Sequence, residues 1–477
     1  MWPEITRLIA PRAAPHLRFL PDAEARPKPK PKFRPKPKLT RKPKLTRKLK
    51  LKLKLKLSGL YEGEPDACRR DLRRFLPALG HLVLLVAVFK VFHLEGRAFR
   101  GLTVLAMAAL PVHYLLPYRW KKPAFVAVSV LGMAWALGAA ITAVVLPMAA
   151  LLIGACFLPV AWSARAAIVG VLGLAFALAR SAGVAAGVPD GAWAVVGSMF
   201  MFRILLFLYE IKHAKAPERP IDAVSYFFLL PNFCFTLFPV LDYRTFRRGY
   251  FSADVHDLQR SGLILLSRGT VHLLICRLVA GAMIAPSAVH DPLSLAGYLA
   301  GNYLKYLDVS GRFHLACGML HLFGFALPET HHNYLLASSF TDYWRRINIP
   351  WKDFMVRVVF HPVAFRLKRK PQALALAVAT VAVFVATWLL HAYQSFWLRG
   401  LWGFSVPDAL FWGILGVLVL VNVQLDARRP TRRRPPGLVR ALQTLATFGT
   451  IAVLWSLWSS PGVGAWLDLL RRGLGWT

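Results

Sequence analysis

Charge is scarce in this chain, and acid scarcer still: only 17% of its 477 residues are Asp, Glu, Lys or Arg, and the 23 acids face 60 Lys and Arg. A soluble enzyme of this size carries about a quarter charged residues. With 56% hydrophobic residues and a mean hydropathy of +0.46, the chain reads as a membrane protein. Cysteine is also sparse. Cys68, Cys156, Cys234, Cys276 and Cys317 are odd in number and form no CxxC pair, which argues against a disulfide framework or a zinc site. No secretory leader is expected either, because the first strongly apolar stretch starts near Leu76, far beyond the usual position. The first membrane helix is therefore expected to act as an uncleaved anchor. No internal repeat is visible, which weighs against a secondary transporter built from matched halves.

What is abundant is positive charge. The formal net charge is +37, and sixteen basic residues fall between Arg26 and Lys56 with no acid among them. This stretch runs as Lys-Pro repeats and then as alternating Leu-Lys. Proline removes helix donors and like charges repel, so residues 1–75 are expected to be a largely disordered basic tail. The remaining excess of 21 out of the total of +37 fits the positive-inside rule and attraction to anionic headgroups better than nucleic-acid binding. Membrane lipids are the expected partners, and nucleic acid is not.

Residues 76–477 form the expected membrane domain. Nearly charge-free stretches recur from about 76–94 to 441–467, and they predict an all-α polytopic bundle of about ten to twelve spans. The pieces at 292–307 and 313–328 are short and carry Asn302, Lys305, His314 and His321, so they suit re-entrant or protein-buried helices. Positive clusters at Arg119 to Lys122, Lys212 to Arg219, Arg244 to Arg248, Arg366 to Lys370 and Arg428 to Arg434 are candidate cytoplasmic loops. Simple alternation of spans cannot place all of them on one side, which again implies re-entrant segments.

Two features carry chemistry. From Arg345 to Lys370 eight basic residues stand against one acid, Asp353, with apolar residues three or four apart between them. A helix here would have one apolar and one cationic face and would lie in the interface, its cations meeting lipid phosphates or a polyanionic donor. The second feature is His391, the one ionisable group in the acid-free and base-free stretch from Pro371 to Leu398 apart from Tyr393. A histidine at that depth suits a general base, or a structural bond to a neighbouring helix carbonyl. No paired metal-ligand spacing emerges among His314, His321, His331, His332 and His361, so no metal is expected. Tyr243, Arg244, Arg247 and Arg248 are read as interface anchors, and Asp308 as a helix cap.

The run GMLHLFGFALPET, followed by YLLASSFTDYWRRINIPWKDF and then by a helix bearing TWLLHAYQSFW, resembles the membrane-bound O-acyltransferase (MBOAT) family. The likeness is greatest to the bacterial branch that acylates alginate and teichoic acids. Gly324, Phe325 and Pro328 match its Gly-Phe-x-x-Pro segment, and Ser339, Asp342, Trp344, Arg345 and Arg346 match the motif that follows. His391, 43 residues after Asn348, matches the intramembrane histidine. The resemblance is most specific over residues 311–398 and extends back toward Pro231 and Pro239. Asn348 stands where the bacterial branch has a histidine, as in eukaryotic lipid-acylating members.

The resemblance implies an O-acyltransferase of the bacterial cytoplasmic membrane. It would move an acyl group, such as acetyl, from a thioester co-substrate (acyl-CoA or an acyl carrier) to a hydroxyl of an exported glycan or a lipid. No bound cofactor is expected, and a helper acyl-transfer protein is a further candidate partner. His391 would be the base, Asn348 would orient the acceptor or the oxyanion, and Arg345, Arg346, Trp344 and Asp342 would line the substrate site. The rival reading is a polytopic transporter or lipid flippase without acyl transfer.

Overall fold

The computed structural model describes residues 63–181, 188–197, 202–212, 219–235, 241–428 and 436–476. The basic tail up to residue 62 and Pro239 lie outside the described residues. Helices follow one another as α1 (Leu72–Val91), α2 (Arg97–Leu115), α3 (Tyr118–Leu137), α4 (Ala139–Cys156), α5 (Trp162–Ser181), α6 (Asp190–Val195) and α7 (Phe202–Lys212). Then come α8 (Pro220–Phe227), α9 (Tyr243–Gly249), α10 (Val255–Gly281), α11 (Pro292–Leu304), α12 (Tyr306–Leu322) and α13 (Phe340–Arg346). The chain closes with α14 (Ile349–Met355), α15 (His361–Arg366), α16 (Gln372–Arg399), α17 (Val406–Arg428), α18 (Gly437–Trp458) and α19 (Val463–Leu474). Among the described residues there is no strand, only one bridge between Tyr250 and Phe325. The protein is an all-α, multi-pass membrane bundle.

Among the described residues eight helices, α1, α2, α4, α5, α10, α16, α17 and α18, are long and apolar enough to cross a membrane. The expected ten to twelve is higher because α3 opens with Arg119, Lys121 and Lys122, and because α6, α7, α11 and α12 are short pieces. Helices α11 and α12 meet at Lys305, and α12 is buried along almost its whole length. Its polar residues are therefore shielded from lipid by protein, as a non-lipid-facing segment requires.

Glycine explains how α12 gets so close to α10. A methyl group built on Gly318 would sit 2.7 Å from the Gly262 carbonyl oxygen, and one on Gly269 would sit 2.7 Å from that of Gly311. Small residues at matched positions let two membrane helices touch backbone to backbone, where packing rather than water expulsion drives association.

The basic clusters gather at one end of the bundle. Lys122 pairs with Asp222 and lies 4.3 Å from the centre of the Tyr250 ring. Arg244 and Arg357 both reach Glu210, at 3.1 and 3.2 Å. Gln424, near the end of α17, donates to the Ala373 carbonyl at the start of α16, so the end of α17 meets the start of α16 there. The opposite end is closed by Arg180 donating to the Phe396 carbonyl, by Asn302 on Ser459, and by α19 packed on Leu295.

Three expectations need correction. The segment from Arg345 to Lys370 is not one amphipathic helix: it breaks at Ile347 and Asn348, then runs through α14, a π-helical turn at Val356–Phe360, and α15. Asp308 caps nothing and instead pairs with Arg312 one turn on, at 3.0 Å. Tyr243 is not an interface anchor, being buried edge-on against Phe207 and Tyr226.

Candidate active site

His391 is the twentieth of the 28 residues of α16, about 28 Å from the basic end of that helix at ~1.5 Å per residue. Its Nδ1 lies 2.9 Å from the Thr387 carbonyl oxygen. A carbonyl can only accept, so this contact puts a proton on Nδ1 and leaves Nε2 with a free lone pair. Indoles surround the ring. Trp412 of α17 is 4.7 Å away between centroids, Trp351 of α14 is 5.2 Å away, and Trp458 of α18 is 6.5 Å away.

The motif segment reaches this ring from the basic end. After α12 the chain turns at Gly324, whose φ of +92° and contact with the Phe251 ring leave no room for a Cβ. It then dips inward, where Tyr334 meets Ser310 and His331 meets Tyr306. Ser339 caps α13 by accepting from the Asp342 amide, and Asp342 in turn holds Arg346 at 2.7 Å and the Ser338 amide at 3.1 Å. The backbone amide of Ile349 donates to the Thr330 carbonyl, pinning the break in the chain. Asn348 sits at that break with φ +39° and ψ +57°, a left-handed geometry that asparagine tolerates better than most residues. Its side-chain Oδ1 is buried and has no hydrogen-bond partner among the described residues. One turn on, Trp351 lies against His391.

Thus the structure brings the segment of Asn348 to His391 through Trp351, and it gives Asp342 and Arg346 a mutual tie that shapes the loop. Arg345 and Trp344 line something different: a narrow apolar cleft with a cavity volume of only about 20 Å³, with Val356, Phe360, Val383 and Phe384 among its walls. Two threonine hydroxyls on that cleft, Thr341 Oγ1 and Thr380 Oγ1, are buried without a hydrogen-bond partner among the described residues.

Part of the expected cationic face is neutralised, Arg346, Lys352 and Arg357 each being paired with an acid. Lys352 is buried and pairs with Asp353 at 2.7 Å, and Arg357 reaches both Glu210 and Asp242 at 3.2 Å. Glu210 and Asp242 also hydrogen-bond one another. Burial, then the neighbouring Asp242, pushes the Glu210 carboxyl above its usual range. Burial acts on Asp242 in the same sense, but hydrogen bonds from Thr245 and Arg357 together with the Arg357 charge outweigh it and hold Asp242 below its usual range. The cavity beneath them is lined by Asp242, Asp353, Arg357, Pro328 and Pro350, so it is not a basic pocket for a polyanion.

Sequence reasoning passed over Asp408, Trp412 and Trp458, because an acid in the first turn of a helix and aromatics in apolar spans are ordinary. His314 and His331 were weighed only as metal ligands and His272 was passed over, yet the three form a cluster whose rings lie 5.2 and 6.0 Å apart in succession. That cluster ties the inward loop to α10 and α12 through Ser310 and Tyr334. Among the described residues no group of three His, Cys, Asp or Glu side chains is arranged to hold a metal ion.

No protein-family model matches this chain, and no curated protein matches it.

Proposed function

We propose that this protein is a membrane-embedded O-acyltransferase that moves an acyl group from a thioester to a hydroxyl, with His391 as general base. The observation that carries the reading is the fixed ring of His391: Nδ1–H is spent on the Thr387 carbonyl, so Nε2 is the proton acceptor, and the ring is held within an indole cage completed by the motif segment. The MBOAT resemblance supports the same chemistry through the order of Gly324, Pro328, Asp342, Arg346, Asn348 and His391.

In the reaction, the acceptor hydroxyl gives its proton to Nε2 as its oxygen attacks the thioester carbonyl. The C–O bond forms, the C–S bond breaks, and the proton passes from the imidazolium to the departing thiolate. Products are an ester and a free thiol, and no alkoxide is ever released. Asn348 would turn its side chain toward the acceptor or the developing oxyanion. Trp344, Arg345, Thr341 and Thr380 line a narrow apolar cleft whose walls, Val383 and Phe384 among them, would have to part to admit the acyl portion of the donor. The acceptor is an exported glycan or a lipid hydroxyl, and the membrane is the bacterial cytoplasmic membrane.

The test is release of free coenzyme A from acetyl-CoA and palmitoyl-CoA by protein in nanodiscs supplied with a membrane extract as acceptor source. Replacing His391 with Ala should cut turnover by roughly 10²- to 10⁴-fold while the protein elutes as a folded monodisperse species. Wild-type turnover by well-folded His391→Ala protein would remove the mechanism.

A further inference from the structure

Asp408 is a buried acid bonded to Trp458, one of the indoles around His391. It is 6% exposed, in the first turn of α17, where Ser405 Oγ caps the helix by accepting from its amide. Its Oδ1 accepts the Trp458 indole N–H at 2.6 Å, and its Oδ2 is buried with no hydrogen-bond partner among the described residues. Trp458 is itself fixed, stacked on Phe411 at 4.7 Å and edge-on to Trp455 at 4.9 Å. A buried acid with one oxygen left unsatisfied is costly unless it serves a charge or a ligand.

His391 is the group it can serve. The elements packed around that ring present Trp351 from α14, Trp412 from α17 and Trp458 from α18, with the Thr387 carbonyl from its own helix. None of these carries a charge. Asp408 is tied to the imidazole through Trp458, whose indole N–H it accepts at 2.6 Å and whose ring centroid lies 6.5 Å from that of His391.

We infer that Asp408 is a positioning residue for His391, a counter-charge anchored by Trp458 that balances the imidazolium formed when the ring takes a proton inside the membrane. The inference rests on the acyl-transfer reading for its purpose, although the charge pairing itself can be measured without any substrate. During the reaction the positive ring exists only between hydroxyl deprotonation and thiolate protonation. A carboxylate held in place beforehand stabilises that interval without reorganising.

The experiment has two arms. In the first, histidine is labelled with ¹⁵N in full-length protein in nanodiscs, and the His391 signals are assigned by their loss in His391→Gln. At one fixed acidic pH, the ratio of doubly to singly protonated ring should fall roughly tenfold or more in Asp408→Asn, the size expected on losing an adjacent opposite charge. Asp408→Glu should restore part of it. Trp458→Phe, which strips the carboxylate of its indole donor, should move the ratio in the same direction and covers the case in which Asp408→Asn does not insert. An unchanged ratio in either folded variant overturns the pairing.

In the second arm, Asp408→Asn should lower kcat about tenfold with KM retained, and Asp408→Glu should recover part of the loss. A change in KM alone overturns the positioning role. If the first arm succeeds but wild-type protein releases no thiol, the charge pair stands and the acyltransferase reading fails. If His391→Ala abolishes transfer while the first arm shows no change, the reverse holds.

Discussion

Trp351 presents its ring to His391 at 5.2 Å and 73°, an edge-to-face contact between the motif segment and the helix that bears the proposed base. The two residues are 40 apart in sequence, and this contact is what makes one site of two separate sequence features. The Trp351 Nε1 reaches Thr387 Oγ1 at 3.4 Å, at the long edge of a hydrogen bond, so ring shape matters more here than the indole N–H.

Trp351→Phe should therefore keep most stability and turnover, since an aromatic ring of slightly smaller size still fills the space beside His391. Trp351→Ala should cost about 3–5 kcal/mol by opening a cavity and should abolish thiol release by letting the imidazole turn. Melting in detergent and thiol release from acyl-CoA check both. Equal activity in the Phe and Ala variants would show that this contact does not organise the site.

Asn348 invites a sharper comparison because it has both a backbone and a side-chain peculiarity. Its left-handed φ suits glycine as well as asparagine, so Asn348→Gly should fold like wild type while removing the amide. Asn348→Ala should lose roughly 1 kcal/mol or more to backbone strain. If the amide orients acceptor or oxyanion, both variants lose turnover to a similar degree, and a remnant persists because water partly replaces the amide. Full turnover by Asn348→Gly would reduce Asn348 to a backbone device.

The helices were legible in the sequence because spanning length and apolarity are local properties. His391 was legible for the same reason, as a lone histidine in a stretch without Asp, Glu, Lys or Arg. The fate of the cations from Arg345 to Lys370 was not, because the acids that hold Arg357, Glu210 and Asp242, lie more than a hundred residues upstream. Asp408 escaped notice because acids are common in the first turn of a helix, and its meaning depends on Trp458, fifty residues on. The break at Asn348 interrupts a pattern that hydrophobic spacing alone reads as continuous helix.

Arg357 offers a test with a sign in pH. Asp242 is held below its ordinary range in the folded protein, so its bonds to Thr245 and Arg357 contribute stability above the unfolded carboxylate value of about 3.9, and that contribution is lost as pH falls through the lower folded value. Arg357→Met should lower stability by roughly 1–2 kcal/mol at pH 7, after allowance for the one third of the Arg357 side chain that is exposed. The deficit should shrink as the pH is taken below about 3.9, because Asp242 then approaches protonation in both proteins. Apparent melting temperatures at pH 7 and pH 3.5 decide it, and the same deficit at both would mean that packing of the arginine stem, not its charge, is what matters.

The last prediction is orientation. Lys122, Arg244, Arg357 and the run Arg366 to Lys370 lie at one end of the bundle, together with the end of α17. At the opposite end the connection from Gly400 to Ser405 carries no charge, and that from Ala282 to Asp291 carries only Asp291 and His290. Short basic loops resist translocation, so the basic end should face the cytoplasm. His391 then lies in the outer half of α16, about 12 Å from its Arg399 end at ~1.5 Å per residue, which is where an acceptor bound for export would have to be met. Lys368 is exposed at the basic end and Leu401 is 72% exposed at the other. With the half-buried Cys234 and Cys276 replaced by Ser, a membrane-impermeant maleimide should label Leu401→Cys in intact cells and Lys368→Cys only after permeabilisation. The inverse pattern would place the apolar cleft at Arg345 on the outer face, away from any cytosolic thioester, and the donor assignment would fall with it.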